Sequence, residues 1–430
     1  MTRAGATQVF GGTADKQTVH VQPAPGSCAV ARPWEGHCRR VAVLAGELAR
    51  RLRLPPADVA ALEEAAFYHH AELASGMGKA ATEATNRTLS PRAAAILHSF
   101  RNPDHPAGGR AAAILRVAEA MTERIEFLPF QPAALEQIVD EMNWLAQEGL
   151  YDPVVTATLG ALVSIRMEDL LATVQRLPVF PAVALRALMI APDEDTSFEQ
   201  MESLVSSDQV LAGAVIETAN SSLFSPARRI STIAQAMAYI GVEGARRVVL
   251  AHVFRPLYAS PALQKLWKHA VETAVKAERL ACLSGKVNGQ EAFLAGLVHD
   301  VGRLALHRLG GAEGERYARL RERGADAVFV ELMLCGFDHG AAGAEILRSW
   351  SFPAALVEAV QHHHRPEACP SPMAALLHAA ESWSDTAGDE DLPSPRRLQR
   401  ALRQLGLTPE TLKPGAEPEH WLLTCLLEAA

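Results

Sequence analysis

The stretch EAFLAGLVHDVGRLALHRL, residues 291 to 309, places His299 beside Asp300 inside an otherwise apolar run of helical composition. Imidazole and carboxylate are the donors that divalent Mn, Fe or Zn takes from a protein, and both are costly to bury without a partner. The pair has company. Of the 16 histidines, ten follow residue 250: His252, His269, His299, His307, His339, His362, His363, His364, His378 and His420. A cation held by helices draws its ligands from several elements and fixes them by outer contacts. Histidines at intervals of about 30 to 40 residues fit that plan. A lone helical histidine is ordinarily a packed or hydrogen-bonded core residue, so the argument rests on the whole set.

The elements that must position these groups are helices. HCRRVAVLAGELARRL (37 to 52), PADVAALEEAAFYHH (56 to 70) and SFEQMESLVSSDQVLAGAVIETANS (197 to 221) repeat apolar residues every three or four positions and are interrupted by Pro or Gly. Alternating strand-like runs are nearly absent, which predicts an all-α chain. With 430 residues, 49% apolar and 21% charged, the chain has the balance of a globular protein with room for more than one core. The net charge of −8 is spread out, and Arg50, Arg51 and Arg53 are interleaved with leucines, which argues against nucleic acid or an anionic membrane as partner. Cys28, Cys38, Cys282, Cys335, Cys369 and Cys425 form no CxxC pair, as expected of free thiols in a reducing, cytoplasmic setting. No run reaches the roughly 20 apolar residues of a membrane helix. Residues 1 to 30 read as a disordered tail, and the punctuation divides the rest into 31–168 and 169–430, the latter as 169–255 and 256–430.

Four blocks of the second half carry a family resemblance: WKHAVETAVKAERLA (267 to 281), FLAGLVHDVGRLAL (293 to 306), DHGAAGAEILRSWSFPAALVEAVQHHHRP (338 to 366) and AALLHAAESW (374 to 383). In that order they resemble the HDOD domain, a helical output domain related to the HD superfamily of metal-dependent phosphohydrolases. LPVFPAVALRALMI (177 to 190) and residues 206 to 250 are similar to its N-terminal helical subdomain, including the Asn220-Ser221 turn. The resemblance implies a divalent metal, Mn, Fe, Zn or Mg, held by His269, His299, Asp300, His339, His363, His364 and Glu381, with Arg303 placed to meet phosphate oxygens. Two positions depart from the catalytic pattern. Lys265 stands one turn before His269 where two-metal relatives carry Glu, so its ammonium is expected to face the cluster and oppose a second ion. Glu381 replaces the usual Asp. One pre-formed pocket is expected, with the nitrogens of His269, His299 and His339 and an oxygen of Asp300 within about 5 Å of a common centre.

The first half repeats the layout in weaker form. WEGHCRRVAVLAGELARRLRLPPADVAALEEAAFYHHAEL (34 to 73) and AAAILRVAEAMTERIEFLPFQPAALEQIVDEM (111 to 142) resemble parts of an HD-GYP phosphodiesterase domain. Here the metal pair has become His69-His70, the closing Asp is Glu119, and a double His is reduced to His98-Ser99. This implies a degenerate, catalytically inactive domain in which His69-His70 is structural. Together the two resemblances imply a bacterial signal-transduction output module, a pseudoenzyme that works through signalling proteins, in a pathway that could involve cyclic dinucleotides. The alternatives are a metal-dependent phosphohydrolase or phosphodiesterase acting through the second half, and a metal-free scaffold.

Overall fold

The structure, a computed structural model, describes residues 35–70, 89–102, 109–127, 133–162, 194–222, 224–308, 311–323, 325–383 and 395–412, together with positions 172, 187 and 190. Among the described residues there are helices and turns and no strand, as the periodicity requires. The tail 1–30, the boundary near 168, most of LPVFPAVALRALMI and His420 lie outside the described residues.

The first half contributes α1 (Glu35–Arg51), α2 (Pro56–Tyr68), α3 (Pro91–Arg101), α4 (Gly109–Phe127), α5 (Ala133–Gln147) and α6 (Pro153–Gly160). Next come α7 (Glu194–Ser206), α8 (Gln209–Ala219) and α9 (Ile233–Phe254), then α10 (Gln264–Ser284), α11 (Gly289–Val298) and α12 (Gly302–His307). The chain continues through α13 (Gly311–Glu322), α14 (Ala327–Cys335), α15 (His339–Ser349), α16 (Ala354–Gln361), α17 (Pro372–Ser382) and α18 (Pro395–Leu405).

Local chemistry sets many of these limits. Asp208, Asn288, Asp326 and Asp338 cap α8, α11, α14 and α15 by accepting from backbone N–H groups of the first turn. Gly285 and Gly336 end α10 and α14 in the left-handed conformation. α9 is bent at Gly241, where φ is 78°. Asn220 closes the loop between α8 and α9: its amide donates to Ile216 O at 2.9 Å and Ile230 O at 2.8 Å, and its carbonyl accepts from Ile230 N at 2.8 Å. That accounts for the Asn-Ser turn by backbone pairing alone.

Residues 33–430 form one compact unit. A continuous apolar core runs from Val41 and Leu48 through Leu115 and Phe254 to Phe293, Phe337 and Leu377. Polar clamps join the halves at its edge. Arg40 pairs with Asp326 at 2.9 Å, and Arg316 pairs with Glu47 at 3.2 Å while donating to Leu162 O. Arg365 donates to Ile125 O, at the end of α4, at 3.0 Å. No single described helix is long and apolar enough to cross a membrane.

Close backbone approach is what brings the donors together. A Cβ on Gly296 would fall 2.5 Å from the Ala274 Cα, so α11 lies directly on the backbone of α10. At Gly302 a Cβ would fall 2.0 Å from His339 O and 2.6 Å from Gly343 N, so α12 touches the start of α15. The first contact sets His299 beside His269, and the second sets Asp300 beside His339.

Candidate metal centre

His299 and Asp300 do not sit within one continuous helix. α11 ends at Val298 and α12 starts at Gly302, with the pair in the tight turn between, where Val301 N bonds Val298 O and Arg303 N bonds Asp300 O, each at 3.0 Å. A helix end has backbone carbonyls left over, and the His299 ring uses one: its Nδ1 lies 2.7 Å from Gly296 O. His363, just past the end of α16, does the same with Val360 O at 2.5 Å. His339 is the first residue of α15, and its Nδ1 lies 2.7 Å from Glu331 Oε2.

These contacts fix where the protons are. A carbonyl only accepts, so Nδ1 of His299 and His363 carries hydrogen, and the Glu331 carboxylate assigns the same to His339. A ring that carries no second proton then turns its Nε2 lone pair inward. His299 Nε2 lies 3.2 Å from His269 Nε2, 3.4 Å from Asp300 Oδ1 and 3.3 Å from Glu381 Oε1. His339 Nε2 lies 3.0 Å from Asp300 Oδ1 and 2.6 Å from His364 Nε2. His363 Nε2 is 3.9 Å from Asp300 Oδ1 and 3.8 Å from Glu381 Oε1. His299, Asp300, His339 and His363 are wholly buried.

Lone-pair donors facing one another repel unless a proton or a metal cation lies between them. Asp300 Oδ1 and Oδ2 and His363 Nε2 are buried without a hydrogen-bond partner, at a cost of about 1–3 kcal/mol per group. Ligands about 2.0–2.2 Å from a shared ion are separated by about 3–3.5 Å along the edges of its coordination polyhedron. Most of the distances above fall there, so the residues fit a divalent cation. Two donor groups overlap at His363: His339 with His363 and His364, and His299 with Asp300, His363 and Glu381.

Where no cation is bound, the same carboxylates favour a second proton on His299 and His339. Burial would raise the Asp300 carboxyl, but Arg303, His299 and His339 outweigh it and hold it well below the usual range. Burial pulls His299 and His339 down, and carboxylates reverse this: Asp300 and Glu381 raise His299, while Glu331 and Asp300 push His339 well above its ordinary value. Burial prevails at His363, lowered to about 4, and at His364, also well lowered. Glu381 stays well below the usual carboxylate range, because His364, His363 and His299 together outweigh its burial.

All seven expected donors therefore converge. Arg303 Nε is 3.2 Å from Asp300 Oδ2, so this ion pair engages one carboxylate oxygen and leaves Oδ1 toward the imidazoles. Lys265 is exposed and makes no ion pair with Asp300 among the described residues, contrary to the expectation that its ammonium faces the cluster. It stands in the first turn of α10, on the solvent side of the helix. His307 is exposed. His252 is half-buried and bonds Val248 O, and His378 Nδ1 donates to His363 O at 3.0 Å, steadying that ring from α17. In the first half, His69, His70 and Glu119 meet one another and His37, whereas His98 is exposed and is not one of that group.

Glu331 is the functional neighbour that spacing does not reveal. It is fully buried, its Oε2 accepts from both Nδ1 and the backbone N of His339, and Tyr317 OH donates to its Oε1 at 3.2 Å. An acid inside the apolar helix AVFVELMLC is its one sequence signal. Such outer partners typically contribute 10–100-fold to metal affinity. Glu331→Gln is therefore expected to weaken metal binding by about 10–100-fold in a competitive chelator titration; unchanged affinity would show that His339 needs no carboxylate behind it.

The HDOD domain family model matches residues 177–366, a span holding every donor named above except Glu381. An uncharacterized protein of Treponema pallidum is 23% identical over 286 residues, covering 62% of this chain and 53% of that protein. Ribonuclease Y of Pelobacter propionicus is 26% identical over 145 residues, 34% of this chain and 23% of the enzyme. The chain thus spans about half of the first relative and about a quarter of the second. Among solved structures, an HDOD domain protein of unknown function from Geobacter sulfurreducens is 24% identical, covering 61% of this chain and 95% of that one, with a TM-score of 0.45. Residues 177–366, which carry all of the buried cluster but Glu381, are thus an HDOD domain.

Proposed function

We propose that this protein is a signal-transduction output module whose HDOD domain holds a divalent metal as a structural and regulatory element rather than as a hydrolytic centre. His269, His299, Asp300, His339, His363, His364 and Glu381 would hold it. The observation that carries this reading is burial: the four innermost donors have no exposure, and the His269, His364, Glu381 and Arg303 side chains around them are only 12–17% exposed. A phosphate ester needs an open coordination position and a path to it, and this rim leaves little room for one. A bound cation would supply charge balance for the two carboxylates and, where water could reach it, Lewis-acid chemistry. The chain's own contribution is to orient the donors through Gly296 O, Val360 O, His363 O and Glu331, and to join both halves through Arg40, Arg316 and Arg365. A change at the metal site thereby acts on one body, whose surface would be read by partner signalling proteins.

One observation favours a phosphohydrolase instead. Arg303 lies at the rim beside Asp300, where a guanidinium can meet a phosphate oxygen. Turnover of bis-p-nitrophenyl phosphate by the purified protein with added Mn separates the two readings. The proposal expects no rate above that of Mn in buffer; turnover that disappears in His299→Ala would replace it with the hydrolytic reading.

A further inference from the structure

The first half contains a donor cluster that the HDOD match does not reach. His37 on α1, His69 and His70 just past the end of α2, and Glu119 on α4 offer donor atoms all within 4.8 Å of one another. Glu119 is at its centre. Its carboxylate lies 3.1 Å from His37 Nε2, 2.6 Å from His69 Nε2 and 3.1 Å from His70 Nε2. His37, His69 and Glu119 are buried, and the His70 side chain is 20% exposed.

The orientation of the His69 ring suits a cation. Its Nδ1 lies 2.5 Å from Ala66 O and so carries hydrogen, which makes Nε2 the ligating atom toward a metal ion. That atom faces a carboxylate oxygen at 2.6 Å and is buried without an aligned hydrogen-bond partner. Two electron-pair donors at this separation need a proton or a metal ion between or beside them, and three imidazoles gathered on one carboxylate are a ligand set for the latter.

The arrangement repeats that of the second half. His69 and His299 each fold back on the carbonyl three residues earlier at a helix end. Arg116, three residues before Glu119, donates to Ser99 O at 2.6 Å, as His378, three residues before Glu381, donates to His363 O. By this register His70 stands for Asp300, Ser99 for His363 and Phe100 for His364. The double His thus falls on Ser99 and Phe100 rather than on the His98-Ser99 expected from the sequence; neither is a donor here, and His37, His69, Glu119 and the substituted His70 are the four that converge. Three imidazoles and one carboxylate fill a tetrahedron, the coordination of a closed zinc site with no position left for substrate. Imidazole-rich sets suit zinc better than magnesium or calcium.

We propose that His37, His69, His70 and Glu119 form a separate zinc site, structural in character, in the first half of the chain. It ties α1, α2 and α4 together where the related cluster of the second half has a larger donor set.

The test uses the full chain, stripped by chelator, dialysed against buffered zinc alone, and assayed for zinc per chain and zinc-dependent thermal stabilisation. In a background carrying His299→Ala and Asp300→Asn, roughly one zinc per chain should remain. Adding His69→Ala or the isosteric Glu119→Gln should remove it together with the stabilisation. Helical circular dichroism identifies correctly folded variants, and Glu119→Gln, which keeps side-chain volume, decides the matter if His69→Ala unfolds. A background protein without zinc, or zinc that survives Glu119→Gln, overturns the proposal. If wild-type zinc is lost with Glu119→Gln but untouched by His299→Ala with Asp300→Asn, this site stands and the HDOD metal site falls.

Discussion

Asp300→Asn is expected to lower the metal affinity of the HDOD domain by at least about 100-fold, beyond the usual effect of an outer-shell partner. Asp300 Oδ1 is the atom that the imidazoles of His299, His339 and His363 share, at 3.4, 3.0 and 3.9 Å. An amide has the same shape but brings no charge, leaving Glu381 as the one anion among the donors. At metal equal to 100 times the wild-type Kd, binding stabilises the wild type by about 2.7 kcal/mol, whereas a 100-fold weaker variant gains about 0.4 kcal/mol. Isothermal titration and thermal unfolding with and without metal both report this difference. If the variant keeps wild-type affinity, Asp300 serves only as the counter-ion of Arg303, and the cluster is a remnant of a metal site.

Gly302→Val is expected to destabilise the fold by about 3 kcal/mol or more, the upper end of the cost of overpacking. The added Cβ would meet His339 O at 2.0 Å and Gly343 N at 2.6 Å. Both atoms are backbone, so no rotamer change relieves the clash, and α12 must move away from α15. The same movement separates Asp300 from His339 and opens the donor cluster. Equilibrium denaturation of metal-free protein should show the loss of stability, and metal titration the loss of affinity. A valine variant with unchanged stability would mean that the two helices do not touch as described.

The donors were legible in the sequence because their chemistry is exceptional in its surroundings. His299, Asp300 and His339 stand among apolar residues that cannot satisfy them, and HHH at 362 to 364 follows a helix end. Helix periodicity likewise revealed the all-α architecture, since α10 buries Leu266, Trp267, Ala270, Val271, Ala274 and Val275 at three- and four-residue spacing. What escaped depends on direction, which spacing does not encode. Lys265 and His269 are one turn apart, yet one is exposed and the other meets His299 and Asp300. Glu331 looks like a stray acid until the fold places it behind His339. His69-His70 reads as structural because an imidazole replaces the carboxylate of the expected pair. The fold shows that both of them, with His37 from another helix, gather on the one carboxylate that remains, Glu119.

The most direct test of the central claim is anomalous diffraction, collected at the absorption edge of manganese or zinc, from crystals of the full chain loaded with that metal. A peak is expected among Asp300 Oδ1 and the Nε2 atoms of His299, His339 and His363, about 2.0–2.2 Å from the atoms that ligate it. A fully loaded crystal with no peak at that point, and with His299 and His339 still turned toward Asp300, would contradict the account.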